Sequence, residues 1–98
     1  MPSEAKRKSK PFDAAKYLDS DEAVAEYISE ALLTGDIDTI TRAIGVAAKA
    51  RGMSDIARET GLSRESLYKA LAPGARPRHD TIVKVTRALG VKLVAVPT

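Results

Sequence analysis

Six side chains within seven positions, Ser63, Arg64, Glu65, Ser66, Tyr68 and Lys69, carry the hydrogen-bonding chemistry that reads base edges in a DNA groove. Arg64 or Lys69 can donate to guanine, Glu65 can accept from a cytosine amine, and Tyr68 can stack or bond a phosphate. Just beyond, Ala72-Pro73-Gly74-Ala75-Arg76-Pro77-Arg78 is a stiff basic loop, so Arg76 and Arg78 are candidates for gripping phosphate, with Ser54 upstream as a third. The same face also reads as an ordinary solvated surface with an i, i+4 Glu65/Lys69 pair. What favours DNA is that the elements positioning these residues agree with their chemistry. Catalysis finds less support. Ser66-Leu67-Tyr68-Lys69 has the Ser-x-x-Lys spacing of some acyl-transfer enzymes, but the companion motifs are absent. His79 is the only histidine, so no His-based triad or zinc cluster assembles. Asp36 and Asp38 suit a helix start as well as they suit a metal. No enzyme activity, metal or cofactor is expected.

The positioning elements are two short helices joined by a tight turn over Met53–Leu71. Ser54 is the expected N-cap of the first, and Gly61 supplies a residue free to leave the right-handed region. Ser63 caps the second, which continues through Leu71 without Gly or Pro. With Leu67 facing inward at roughly 100° per residue, Ala70 and Leu71 flank it and the candidate readers point away. Ile56 and Leu62 clamp the pair, with Ala57 small where the helices approach. This is the pattern of a DNA-reading helix-turn-helix.

Around this unit the spacing predicts an all-α chain of five helices. Met1–Pro11 reads as a flexible basic arm, and Phe12, Tyr17 and Leu18 can tuck onto the core. Asp19 and Glu22 form a capping box for an acidic helix from about Ser20 to Leu33, within an acidic segment 19–34. Its apolar stripe is Ala23, Val24, Tyr27, Ile28, Ala31 and Leu32; Glu22, Glu26 and Glu30 form a row on the far side. That row is either a solubilising face or a docking strip for a cationic partner. Thr34-Gly35-Asp36 leads into a second helix ending near Ala50, with Ile37, Ile40, Ile44, Ala47 and Ala48 inward and Gly45 marking a close helix contact. Arg51-Gly52 closes it. After the basic loop, Asp80 or His79 caps a last helix through Leu89, with Ile82, Val83, Val85, Thr86 and Leu89 apolar, and Gly90 stops it. Val91–Val96 then reads as a short strand that presents Val91, Leu93, Val94 and Val96. A lone strand in a helical chain is most simply satisfied by the same strand of a second copy, which implies a homodimer.

A chain of 98 residues with no cysteine and 44% hydrophobic content accommodates one small domain, over 12–98, and excludes a disulfide framework. No apolar run approaches membrane-spanning length and no apolar signal core is evident, so a cytoplasmic location is expected, away from any membrane. The net charge of +3 conceals a division. Residues 1–10 carry +3. Residues 11–35 set Lys16 against Asp13, Asp19, Asp21, Glu22, Glu26 and Glu30, a net of −5. Residues 36–98 carry eleven basic and six acidic side chains, a net of +5. The basic part contains the two-helix motif, as DNA binding requires; the acidic part is wrong for DNA and implies a different partner.

Over Phe12 to Pro97 the sequence resembles the small antitoxins of the HigA-like, probable addiction module antidote group, within the Xre, lambda-repressor-like proteins. The resemblance rests on Tyr17-Leu18, Glu30-Ala31-Leu32, Gly35-Asp36, Ala50-Arg51-Gly52-Met53, Ala88-Leu89-Gly90 and, most specifically, Gly61-Leu62-Ser63-Arg64-Glu65-Ser66-Leu67-Tyr68-Lys69-Ala70-Leu71. It implies a lambda-repressor-like fold and a two-faced protein: one that binds and silences a small basic toxin of the RelE/ParE type, and binds operator DNA to repress its own operon. Glu22, Glu26 and Glu30 then become candidates for toxin binding. The nearest alternative is a stand-alone phage- or plasmid-type repressor without a toxin.

Overall fold

The computed structural model describes residues 17–98. The expected basic arm and Phe12 lie outside the described residues. Five helices follow one another: α1 (Asp21–Thr34), α2 (Ile37–Arg51), α3 (Met53–Thr60), α4 (Arg64–Ala70) and α5 (His79–Ala88). α1 packs on α2, which packs in turn on α3 and α5, while α3 holds α4 and α5.

Ile28, Ile44, Ile56, Leu67, Val85 and Leu89 are wholly enclosed and draw one residue or more from every helix. Each removes an aliphatic side chain from water, worth about 1.5–3 kcal/mol. α4, only seven residues long, is held through Leu67 and Leu71 on this shared core, since so short a helix is unstable by itself. Gly45 is where α2 meets the end of α4. A Cβ there would lie 3.4 Å from the Leu71 carbonyl oxygen, which is the close contact the sequence marked.

Several expected caps move. Ser20, not Asp19, caps α1, its hydroxyl accepting from the Ala23 amide at 3.1 Å; Glu22 is exposed in the first turn. α3 begins two residues earlier than a Ser54 cap would start it. Gly52 ends α2 and opens α3, and its carbonyl accepts from the Ile56 amide at 3.1 Å. Ser54 is thereby left exposed inside the first turn. α5 starts at His79 behind Arg78, with no side-chain cap, so neither His79 nor Asp80 performs that role. Leu32, Ile37 and Tyr17, expected to face inward, are 40%, 54% and 64% exposed. Two of them sit at the α1–α2 corner, where no further element among the described residues covers them. The expected strand is not formed: residues 91–98 carry no regular structure, and no strand occurs among the described residues. Val91 packs at the edge of the core, whereas Val94 and Val96 stand in solvent. Among the described residues nothing offers 91–96 a ladder partner, and an unpaired segment is not a sheet.

Arg51 joins three elements. Its guanidinium donates to the Ala88 carbonyl at 2.8 Å and the Leu89 carbonyl at 3.1 Å, and meets the Asp21 carboxylate at 3.3 Å. The end of α2 thus satisfies the orphan carbonyls at the end of α5 while pairing with the start of α1.

Candidate nucleic-acid interface

The α3–α4 turn is fixed from both sides. Gly61 adopts φ 78° and its amide bonds the Ala57 carbonyl at 2.9 Å, a left-handed cap where any Cβ would be strained. The Thr60 hydroxyl donates to the Ile56 carbonyl at 2.7 Å and accepts from the Leu62 amide at 3.3 Å. This second clasp is invisible to a search for glycine and cap residues. Ser63 then caps α4: its Oγ accepts from the Ser66 amide at 3.0 Å and lies 2.9 Å from the Ser66 hydroxyl. Both serines are exposed, but the Ser63 oxygen already serves the helix start.

With Leu67 enclosed, Arg64, Glu65, Ser66, Tyr68 and Lys69 all stand in solvent on α4. The Arg64 guanidinium carbon lies 5.9 Å from the centre of the Tyr68 ring, close enough for the cation to be drawn to the ring face. The sequence did not indicate this contact; it restrains two long side chains on one face before any ligand arrives.

The flanking cations are not free. Arg76 meets the Asp38 carboxylate at 2.8 Å and also donates to the Gly74 and Ala75 carbonyls at 3.3 and 3.2 Å. Arg78 pairs with Asp80 at 3.1 Å, and Arg58 with Asp55 at 2.6 Å. The Arg78 guanidinium, hydrogen-bonded to Asp80, holds that carboxyl below the usual carboxylate range. At the start of α2, the Thr39 hydroxyl and amide do the same for Asp36. Every member of these ion pairs is half or more exposed, so each pair is weak, and a phosphate can exchange with the carboxylate at small cost.

Two cations missed by sequence reasoning complete the surface. Lys49 on α2 lines two adjoining grooves of about 240 and 180 Å³, between α2 and the segment Leu71–Pro73. One also contains Arg42 and the other Tyr68 of α4. Neither Lys49 nor Arg42 is ion-paired among the described residues. Their signal lay in α2's own periodicity, where the face opposite Ile44, Ala47 and Ala48 carries basic residues at i, i+7. The chain therefore brings Arg64, Tyr68 and Lys69 of α4, Arg76 of the loop and Lys49 of α2 to one region. Ser54 is exposed in the first turn of α3, next to Met53, which lines the groove with Lys49 and Tyr68, and Arg78 precedes α5.

Glu22, Glu26 and Glu30 are on another element. All three are exposed on α1 and lack an ion-pair partner among the described residues. No helix among the described residues is long and apolar enough to cross a membrane, and no group of three or more potential metal ligands occurs among them.

A family model described as probable addiction module antidote protein matches residues 8–97. An uncharacterized protein of Haemophilus influenzae is 45% identical over 83 residues, covering 85% of this chain and 86% of that protein. No solved structure matches the chain.

Proposed function

We propose that this chain, which belongs to the probable addiction module antidote proteins, is the antitoxin of a toxin–antitoxin pair and the repressor of its own operon. Family membership supports a toxin partner. The partner that fits the acidic α1 is a small basic protein of the RelE/ParE kind, silenced by stoichiometric occlusion with no catalysis by this chain. The observation that carries DNA binding is the outward face of α4. There a capped, core-anchored helix following a tight turn exposes Arg64, Glu65, Tyr68 and Lys69 beside the basic α4–α5 loop. This is the arrangement by which Xre-like helix-turn-helix proteins enter the major groove, with Ser63 and Ser66 at the leading end, and Ser54, Arg76 and Arg78 on phosphates. Val91–Val96, unpaired in one chain, gains its ladder in a homodimer, and a two-fold protein calls for a palindromic operator.

The test is growth of cells expressing the adjacent gene with and without this chain, followed by co-purification and binding to the DNA upstream of the pair. Arrest by the neighbour alone, rescue on co-expression and a shifted upstream duplex establish the reading. No toxicity and no co-purification, with DNA binding retained, leave a stand-alone repressor. A monomeric mass in equilibrium sedimentation refutes the dimer.

A further inference from the structure

We propose that the corner between α1 and α2 is the apolar anchor of the toxin-binding surface: Leu33 and Ile37 seat in the cationic partner, and Glu22, Glu26 and Glu30 pair with its lysines and arginines. The inference rests on the antitoxin reading and names the surface that reading leaves open.

Leu33 is 86% exposed, Ile37 54% and Leu32 40%. A single exposed leucine requires no explanation, but three large aliphatic side chains within six residues of one corner form a patch. Leu33 is also in register with the acidic row. It follows Glu26 by seven residues, so on the helix it returns to within about 20° of Glu26. Glu22, Glu26, Glu30 and Leu33 form one outward stripe about 16 Å long, opposite the inward Val24, Ile28 and Ala31.

The electrostatics of the corner select the partner. α1 has no basic residue in its last turn, so the negative end of the helix is uncompensated there. Asp36, whose carboxyl Thr39 holds below its ordinary value, and Asp38 follow directly at the start of α2. Beside the stripe, Tyr27, Glu30, Ala31 and Thr34 of α1 enclose a hollow of about 250 Å³ with Thr39, Arg42 and Ala43 of α2, room for an inserted side chain. An apolar centre with a carboxylate rim fits a protein surface whose apolar pocket is ringed by cations. DNA is repelled from it. A second copy of this chain is disfavoured too, because a two-fold contact would set the acidic row against itself.

The experiment uses the full chain and the small basic protein from the neighbouring gene, with affinity measured by titration calorimetry. Leu33→Asp should weaken the complex about tenfold or more, and Leu33→Asp with Ile37→Ser about a hundredfold. Glu26→Lys should weaken it more at low salt than at high. Unfolding temperature should stay within a few degrees of wild type and upstream-DNA affinity near the wild-type value in all three, because Leu33 and Ile37 are 86% and 54% exposed and lie off α4. Wild-type binding that survives in the double variant overturns this inference alone. Absence of binding by the wild type overturns the antitoxin reading, and this inference with it. If the substitutions instead change the sedimentation mass of the chain by itself, the corner is a self-association surface and the inference is overturned.

Discussion

Neutralising Asp38 should tighten DNA binding while slightly destabilising the protein. Arg76 Nη1 lies 2.8 Å from Asp38 Oδ1, with the two side chains 60% and 53% exposed. An ion pair so open to water contributes at most about 1 kcal/mol. A phosphate that takes Arg76 must break this pair and bear the nearby carboxylate. Asp38→Asn removes both penalties, so affinity for the upstream duplex should rise by about 1 kcal/mol, roughly fivefold. Stability should move the other way by a few tenths of a kcal/mol, because Asp38 is an acid in the first turn of α2 and favours the positive helix end. Fluorescence anisotropy across about 50–200 mM salt is the assay. The gain should shrink as salt rises, since the screening length falls to about 8 Å at physiological strength. Arg76→Ala should weaken binding to all sequences alike and flatten the salt dependence by about one unit of slope. Combining the two substitutions decides the mechanism: in the Arg76→Ala background, Asp38→Asn should give less than about a twofold gain. Equal gains in both backgrounds, or no gain in either, would refute Arg76 as a phosphate contact held in reserve by Asp38.

Arg64→Ala combined with Lys69→Ala should abolish discrimination between the upstream duplex and random DNA, with the unfolding temperature within a few degrees of wild type; unchanged affinity for the upstream duplex removes α4 as the reading helix. Arg51→Met should cost about 2 kcal/mol, on the order of 10 °C in unfolding temperature, because two carbonyls at the end of α5 lose a charged donor; Arg51→Lys should recover only part of this, and a fall of under about 2 °C would show that water replaces the guanidinium without loss. Thr39 holds the Asp36 carboxyl below its ordinary value of 3.8. A lowered folded value means the contribution is present above the unfolded value and lost as pH falls through the folded one. Unfolding temperatures of wild type and Asp36→Asn should therefore differ near neutrality and converge as pH falls below the ordinary value of 3.8 and through the lowered folded one; a difference that persists in stronger acid would mean the charge is not what Asp36 contributes.

Periodicity made the five helices legible, because Val24/Ile28, Ile44/Ala48 and Val85/Leu89 recur at helical spacing and are the residues enclosed in the core. Gly61 and Ser63 act as their chemistry implied, since a left-handed turn and an oxygen cap are local requirements. Caps failed where two neighbours compete. Ser20 took the role expected of Asp19, and Gly52 made Ser54 unnecessary by ending one helix and opening the next. Burial at helix ends failed for another reason. Leu32 and Ile37 have the right phase for the inner face, but α1 ends and α2 begins there, and no third element among the described residues covers them. The segment 91–96 has the composition of a strand and lacks a strand neighbour among the described residues. Long-range contacts were out of reach altogether: Arg76 with Asp38, and Arg51 with Ala88, Leu89 and Asp21, join positions 30 or more residues apart.

The division of charge has a structural counterpart in α2. One side of this helix carries α1 and its acidic stripe; another lines the grooves beside α4 with Lys49 and Arg42. Arg42 borders both the α1–α2 hollow and the groove toward the α4–α5 loop. A helix is about 10 Å across and the screening length at physiological salt is about 8 Å, so salt reduces, without removing, the effect of carboxylates on the outer face of α1 on the exposed cations of α4. The acidic stripe is therefore compatible with a nucleic-acid surface on the same small chain. α2 carries α1 on one side and lines the grooves beside α4 on another, which keeps the two surfaces on separate elements.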